Sequence, residues 1–271
     1  MTEPVKVLIT GANGLIGNLV LGHLATFPEY YTVYGMLRHR EPSDRATHER
    51  YFQLPEERVR MADLLDFEAV QRAVQEMEVV VHLAGDPDGQ AGWNSVLQNN
   101  IIGSYHLFEA CRMGGVKRVI YASTNQVVFG YSSEEPYASL FEGRFSEVDW
   151  DSFHPISYTQ PTRPLNLYSC SKVFGESLAY MYAARFNLSC ICLRIGWVLR
   201  DDHLPDERAQ ILWCSQRDIV HLIESCIRAP DNVRFDIFFG HSNNRYNLVD
   251  MQHAREVLGY EPQDRAEDRW S

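Results

Sequence analysis

Short runs that are apolar at nearly every position alternate along this chain with longer stretches whose apolar residues recur every three or four positions. The first kind predicts strands buried on both faces, the second amphipathic helices. Val5–Thr10 reads as a buried strand and Leu15–Ala25 as the helix after it. Residues 32–37 and 58–62 give a second and third strand, 66–76 a helix, and 79–83 a fourth strand. A long helix over 96–112 precedes a fifth strand over 118–122, and a helix over 167–186 precedes a sixth over Ser189–Ile195. From residue 211 the pattern is helical to about 228, followed by a strand at 235–239 and a terminal helix near 250–258. Strands and helices in this rhythm, joined by right-handed crossovers, predict an α/β fold with a doubly wound parallel Rossmann sheet.

Two segments break the rhythm. Residues 131–164 are rich in Ser, Glu, Pro and aromatics without a clear period, and 197–206 are irregular and polar. Both follow strand ends on the carboxyl side of the sheet, where ligands bind in such folds. They are expected to build a lid, so that residues 1–271 form a single nucleotide-binding domain whose segments 131–164 and 197–271 make a small C-terminal substrate-binding lobe.

Composition narrows the partners. The 271 residues carry a formal net charge of −11, which argues against nucleic acid or an anionic membrane surface as the main partner. A small anionic ligand remains compatible, because a pocket can gather a few arginines. The six cysteines form no Cys-x-x-Cys pair and have no zinc-like spacing with histidines, so they are expected as free thiols and no metal is expected. No stretch resembles a secretory signal or a spanning helix, and a cytoplasmic location is expected.

Thr10-Gly11-Ala12-Asn13-Gly14-Leu15-Ile16-Gly17 lies between the first strand and first helix. Gly11 permits a tight turn, Gly14 lets the backbone approach a diphosphate at the helix N-terminus, and Gly17 lets helix and strand pack closely. Asn13, Leu15 and Ile16 are counted with them as cofactor contacts. The second strand ends in Gly35-Met36-Leu37-Arg38-His39-Arg40, without the acid that usually holds the ribose hydroxyls of NAD. Arg38 and Arg40 suit a 2′-phosphate, so NADP is expected ahead of NAD, the alternative being that Glu41 or Asp44 serves the ribose. Asp63-Leu64 is placed to meet the adenine, and Leu83-Ala84-Gly85 lets a dinucleotide cross closely. Asn100, inside the long helix, is either a bracing polar residue or a surface amide.

Tyr168-Ser169-Cys170-Ser171-Lys172 puts a phenol and an ammonium at i and i+4 on one helical face. A nearby ammonium favours phenolate, which would lower the tyrosine pKa for acid–base work. Ser123-Thr124-Asn125 ends the fifth strand with hydroxyls able to bond a substrate oxygen.

With Gly11, Gly14, Gly17, Asp63-Leu64, His82-Leu83-Ala84-Gly85, Ser123-Thr124-Asn125, Tyr168 and Lys172 in hand, the chain resembles the extended short-chain dehydrogenase/reductase superfamily over nearly its whole length. Within it, Asn99-Asn100-Ile101-Ile102-Gly103, Arg194-Ile195-Gly196 and the run from Leu222 to Pro230 look most like the uronate dehydrogenases. The resemblance implies an NAD(P)-dependent oxidoreductase in which Tyr168 takes a proton from a sugar hydroxyl and Lys172 holds the ribose. Thr124 would orient the substrate oxygen, with Ser123 the alternative, and Ile195 would join the cofactor contacts. Asn125 and Arg208 match the family's substrate-binding asparagine and arginine. Trp197 stands where the family has a serine, Asp86-Pro87-Asp88 replaces a second one, and the 131–164 insertion is longer than the family's. A nucleotide-sugar epimerase is the alternative enzyme, and a catalytically silent NADP-binding regulator the alternative of another class. The resemblance also implies a homodimer formed through the helices at 96–112 and 167–186.

Overall fold

The computed structural model describes residues 3–46 and 51–269; Met1 and Thr2, the first residues inspected for a secretory signal, lie outside them. Among the described residues, seven strands form one sheet: β1 (Val5–Thr10), β2 (Tyr31–Leu37), β3 (Val59–Met61), β4 (Val79–His82), β5 (Arg118–Thr124), β6 (Ser189–Ile195) and β7 (Phe235–Gly240). Their order is β3-β2-β1-β4-β5-β6-β7, and every neighbouring pair is parallel. The chain winds outward from β1 to β3, then returns to place β4 on the other side of β1. A crevice therefore opens at the carboxyl ends of β1 and β4, where such sheets bind ligands.

Alternation along the strands supplies two cores. Val7, Ile9, Val81, Ile120, Ile191 and Leu193 face α1 (Leu15–Ala25) and α7 (Gln216–Ile227). Leu8, Val80, Val119, Tyr121, Cys190 and Cys192 face α2 (Phe67–Ala73), α4 (Gly103–Gly114) and α6 (Leu167–Arg185). The two alternating cysteines thus share a face, as a strand requires.

The sheet and nearly every helix follow the apolar pattern, with three departures. The second helix stops at Ala73, three residues before the pattern ends. The long helix starts as a short turn, α3 (Trp93–Ser95), widens to a π-helix over Val96–Ile102 and only then becomes α4. The expected helix from 211 begins instead at Gln216. Residues before it are held extended: the Trp197 N–H donates to the Leu212 carbonyl, the Cys214 N–H donates to the Trp197 carbonyl, and Trp197 pairs with Trp213 as an isolated bridge. That pairing comes from a distant segment, which local periodicity does not register.

The 131–164 insertion is built from short helical turns, including α5 (Tyr137–Phe141). It packs on the C-terminal segment containing α8 (Gln252–Leu258). Phe145 and Trp150 stack on Tyr246 at 4.4 and 4.8 Å, and Tyr158 stacks on His253 at 3.9 Å. Asp218 ties the tail beneath α7 by accepting from Gln263 N, Asp264 N and Ser242 Oγ.

Candidate active site

At the crevice, Gly11 has φ +66°, a conformation costly for side chains with a Cβ, and a Cβ on Gly17 would fall 2.2 Å from the Gly11 carbonyl oxygen. The turn is therefore tight enough for α1 to start directly behind β1. No side chain caps α1 at Gly14, and its first turn carries no acid, so the amides of Leu15, Ile16 and Gly17 remain for an anion. This uncapped cradle fits the diphosphate of a dinucleotide. The Asn13 side chain is directed elsewhere: it donates to the His39 and Glu41 carbonyls and fastens the loop after β2.

Beside the turn, Thr10 Oγ1 accepts from Leu83 N and Ala84 N and bonds His82 Nδ1 at 2.9 Å. Burial keeps His82 neutral by pushing its pKa down to about 3, and Thr10 Oγ1, already accepting two N–H groups, donates its own proton to Nδ1. Gly85 follows. Asn100 is buried and acts as the bracing residue: it accepts from Asp86 N and donates to Asp86 O and Ser171 Oγ, joining the loop after β4 to α6. It sits within the π-helical segment, a feature common at functional sites.

At the adenosine end, Asp63 Oδ1 accepts from Leu65 N at 2.9 Å, and Leu64 packs against Gly103. Arg38 is exposed. Arg40, expected to reach a phosphate, is instead paired through both Nη atoms with Glu56 at 2.6 Å, because residues 51–56 return over α1 beside it. That return is pinned by Asn18, which exchanges hydrogen bonds with both backbone groups of Phe52. A cavity of about 250 Å³ lined by Ala12, Leu37, Arg40, Phe52 and Glu56 lies here, not beside Tyr168.

Helix α6 is fixed at its start by Asn166, which accepts from Ser169 N, while the Ser169 hydroxyl returns to the Asn166 backbone N–H; Asn166 also donates to Gln126 Oε1. Tyr168 follows on the side of α6 that faces Thr124, at the end of β5. Burial raises the phenol pKa; neighbouring Thr124 and the charge of Arg45 pull it down, and Asp86 pushes it up. Lys172 is buried, with Nζ 5.1 Å from the Tyr121 ring centroid and 5.7 Å from that of Tyr168. Burial pushes its pKa down to about 8. The expected lowering of the tyrosine by the lysine is therefore corrected: the two share a desolvated site, and Lys172 makes no hydrogen bond to the hydroxyl.

Ser123, the alternative to Thr124, is engaged elsewhere. Its hydroxyl donates to Glu176 Oε1 at 2.6 Å, and Glu176 receives Arg194 Nε and Nη2 at 3.0 and 2.9 Å. This buried cluster, absent from the sequence-based expectations, ties β5, α6 and β6 together, and Arg194 reaches on to the Tyr158 carbonyl. Ile195 ends β6, level with Thr124. Trp197 is partly exposed just beyond. Asn125 is buried and donates to His241 Nε2 at 3.2 Å. Arg208 is exposed, paired with Asp206 at 3.2 Å, with its stem over Gly143. So Thr124, Tyr168, Lys172, Asn100 and Asn125 come together at the carboxyl edge, while Arg40 and Ser123 are engaged by other partners.

A diphosphate cradle, a Thr–Tyr–Lys grouping and a doubly wound sheet define a dinucleotide-binding oxidoreductase class of site. Residues 7–199 match the NAD dependent epimerase/dehydratase family, and the chain belongs to it. It is 36% identical over 267 residues to the NAD-dependent glucose-6-phosphate dehydrogenase of Haloferax volcanii, covering 97% of this chain and 94% of that protein. It is 31% identical to the uronate dehydrogenase of Pseudomonas putida, covering 97% and 85%. The crystal structure of uronate dehydrogenase from Agrobacterium tumefaciens superimposes with a TM-score of 0.77 at 29% identity, over 98% of this chain and 87% of that one.

Proposed function

We propose that the protein is an NAD(P)-dependent dehydrogenase that oxidises a hydroxyl of a sugar or sugar acid. The observation that carries this reading is Tyr168 one helical turn from buried Lys172, whose Nζ lies 5.7 Å from the phenol ring centroid, beside an uncapped diphosphate cradle. When bound, the nicotinamide supplies the hydride acceptor. Tyr168 takes the hydroxyl proton as the C–H hydride leaves, and a carbonyl product results. Thr124 holds the reacting oxygen against the phenol. Lys172 holds the nicotinamide ribose. Asn125 and Trp197 line the sugar, and Arg208, whose pairing with Asp206 is exposed, takes an anionic group at the sugar's far end. The segments 131–164 and 197–271 form the substrate lobe.

Leu15, Ile16 and Gly17 carry the diphosphate, and Asp63 and Leu64 the adenine. Arg38 is the guanidinium left for a 2′-phosphate, since Glu56 engages Arg40; it supports NADP, although the dehydrogenase from Haloferax is described as NAD-dependent. Exposed Tyr105, Met113, Leu167, Phe174 and Tyr180 on α4 and α6 support a homodimer; sedimentation showing only monomer at micromolar concentration would remove that part. Among the described residues no helix is long and apolar enough to cross a membrane. Free thiols at all six cysteines support a cytoplasmic site of action.

The test is cofactor reduction with a panel of aldoses, sugar phosphates and uronates. Turnover by the wild type and its loss in Tyr168→Phe, with cofactor binding retained, is expected. Tight cofactor binding without turnover across the panel would leave the silent regulator as the better reading.

A further inference from the structure

A chain of three side chains at the carboxyl ends of β5 and β7 fixes which way one amide points. Asn247 lies 3.0 Å from the Ser242 carbonyl oxygen. An oxygen there can only accept, so the Asn247 atom facing it is Nδ2, and Oδ1 is the atom 2.9 Å from His241 Nδ1. His241 Nδ1 must then carry a proton. The ring is fully buried, and burial holds it neutral by lowering its pKa to about 4, so Nε2 carries none and accepts. The Asn125 atom 3.2 Å from Nε2 is consequently the amide nitrogen. Asn125 Oδ1 is left over. It has no hydrogen-bond partner among the described residues, and Asn125 itself is buried. Asn125 directly follows Thr124 at the carboxyl end of β5.

Resting on the dehydrogenase reading above, we infer that His241 is a positioning residue that turns the Asn125 carboxamide so that its acceptor oxygen, not its NH2 group, meets the bound sugar. The site then demands a hydroxyl proton from the substrate at that point. A ring hydroxyl satisfies it; an oxygen that can only accept, or a fluorine in its place, meets lone pairs with lone pairs. His241 and Asn247 touch neither sugar nor cofactor, and they set this preference through Asn125 alone.

The experiment takes the sugar that the wild type turns over best, together with its monodeoxy and monodeoxyfluoro analogues at each ring position, and measures kcat/KM for each. One position is expected at which both analogues lose at least tenfold. His241→Leu removes the acceptor and lets the amide rotate, so it should compress the fluoro penalty severalfold. His241→Gln keeps an acceptor and should restore the penalty, with the cofactor Kd unchanged in both. If His241→Leu does not fold, the wild-type analogue profile and the Gln variant still decide. Fluorine tolerated like hydroxyl at every position, or an undiminished penalty in His241→Leu, would overturn the inference while leaving the dehydrogenase reading intact. A wild type that turns over no sugar of the panel would overturn that reading, and this inference with it.

Discussion

Lys172 is an ammonium enclosed by Tyr121 and Tyr168 with no carboxylate partner among the described residues, and its burial should be measurable as instability of the cofactor-free protein. Its pKa falls from an ordinary 10.5 to about 8 with burial the cause. At about 1.36 kcal/mol per pH unit, that corresponds to roughly 3 kcal/mol held against the folded state wherever both folded and unfolded chains carry the proton. Replacing Lys172 with Met keeps the stem's volume and removes the charge. Below pH 8 the variant should therefore be more stable than the wild type by up to about 3 kcal/mol. As pH rises from about 8 to 10.5 the unfolded wild-type chain binds more protons than the folded one, wild-type stability climbs relative to the variant, and the gap closes. His82, which feels the lysine's charge, is held down to about 3 chiefly by burial and stays neutral across this window. Urea unfolding of both proteins at pH 7, 9 and 10.5 without cofactor reads the gap directly. A gap that does not change with pH, or a variant less stable at pH 7, would refute the reasoning.

Three further outcomes follow from contacts already described. Glu176→Ala leaves the Arg194 guanidinium buried without its carboxylate and should cost about 3–5 kcal/mol in urea unfolding; a loss below about 1 kcal/mol would show that the pair is dispensable. Gly17→Ala drives a Cβ to 2.2 Å from the Gly11 oxygen, so the cradle must shift; cofactor affinity by fluorescence titration should fall at least about tenfold and stability by about 1–3 kcal/mol. Arg38→Ala should lower the NADP-to-NAD ratio of kcat/KM about tenfold, whereas Arg40→Ala, whose side chain Glu56 already engages, should leave it nearly unchanged; the reverse ranking would assign the phosphate contact to Arg40.

The sheet was legible because strands buried on both faces need apolar residues at nearly every position, and runs as short and apolar as Val79–His82 or Ser189–Ile195 suit hardly any other element. The glycine turn was legible for a related reason: only glycine tolerates the torsion at residue 11 and the approach at residue 17. What escaped depended on partners remote in sequence. Arg194 in an otherwise apolar strand was a signal that a buried carboxylate had to exist, and Glu176, one turn beyond Lys172 on the same helix, was the candidate. The pairing of Arg40 with Glu56 was not visible because Glu56 lies 16 residues away across a segment without periodicity. The π-helical widening around Asn100 leaves an apolar spacing close enough to α-helical periodicity to hide it, and the extended Leu212–Ser215 stretch is shaped by Trp197 from another loop.

Helix α6 is held at three places: its capping residue grips Gln126, Ser171 meets Asn100, and Glu176 meets Arg194. Tyr168 and Lys172 are therefore locked to the sheet before any ligand arrives, like a vice already tightened. Ligand binding therefore needs no rearrangement of α6 to bring the two side chains onto one face.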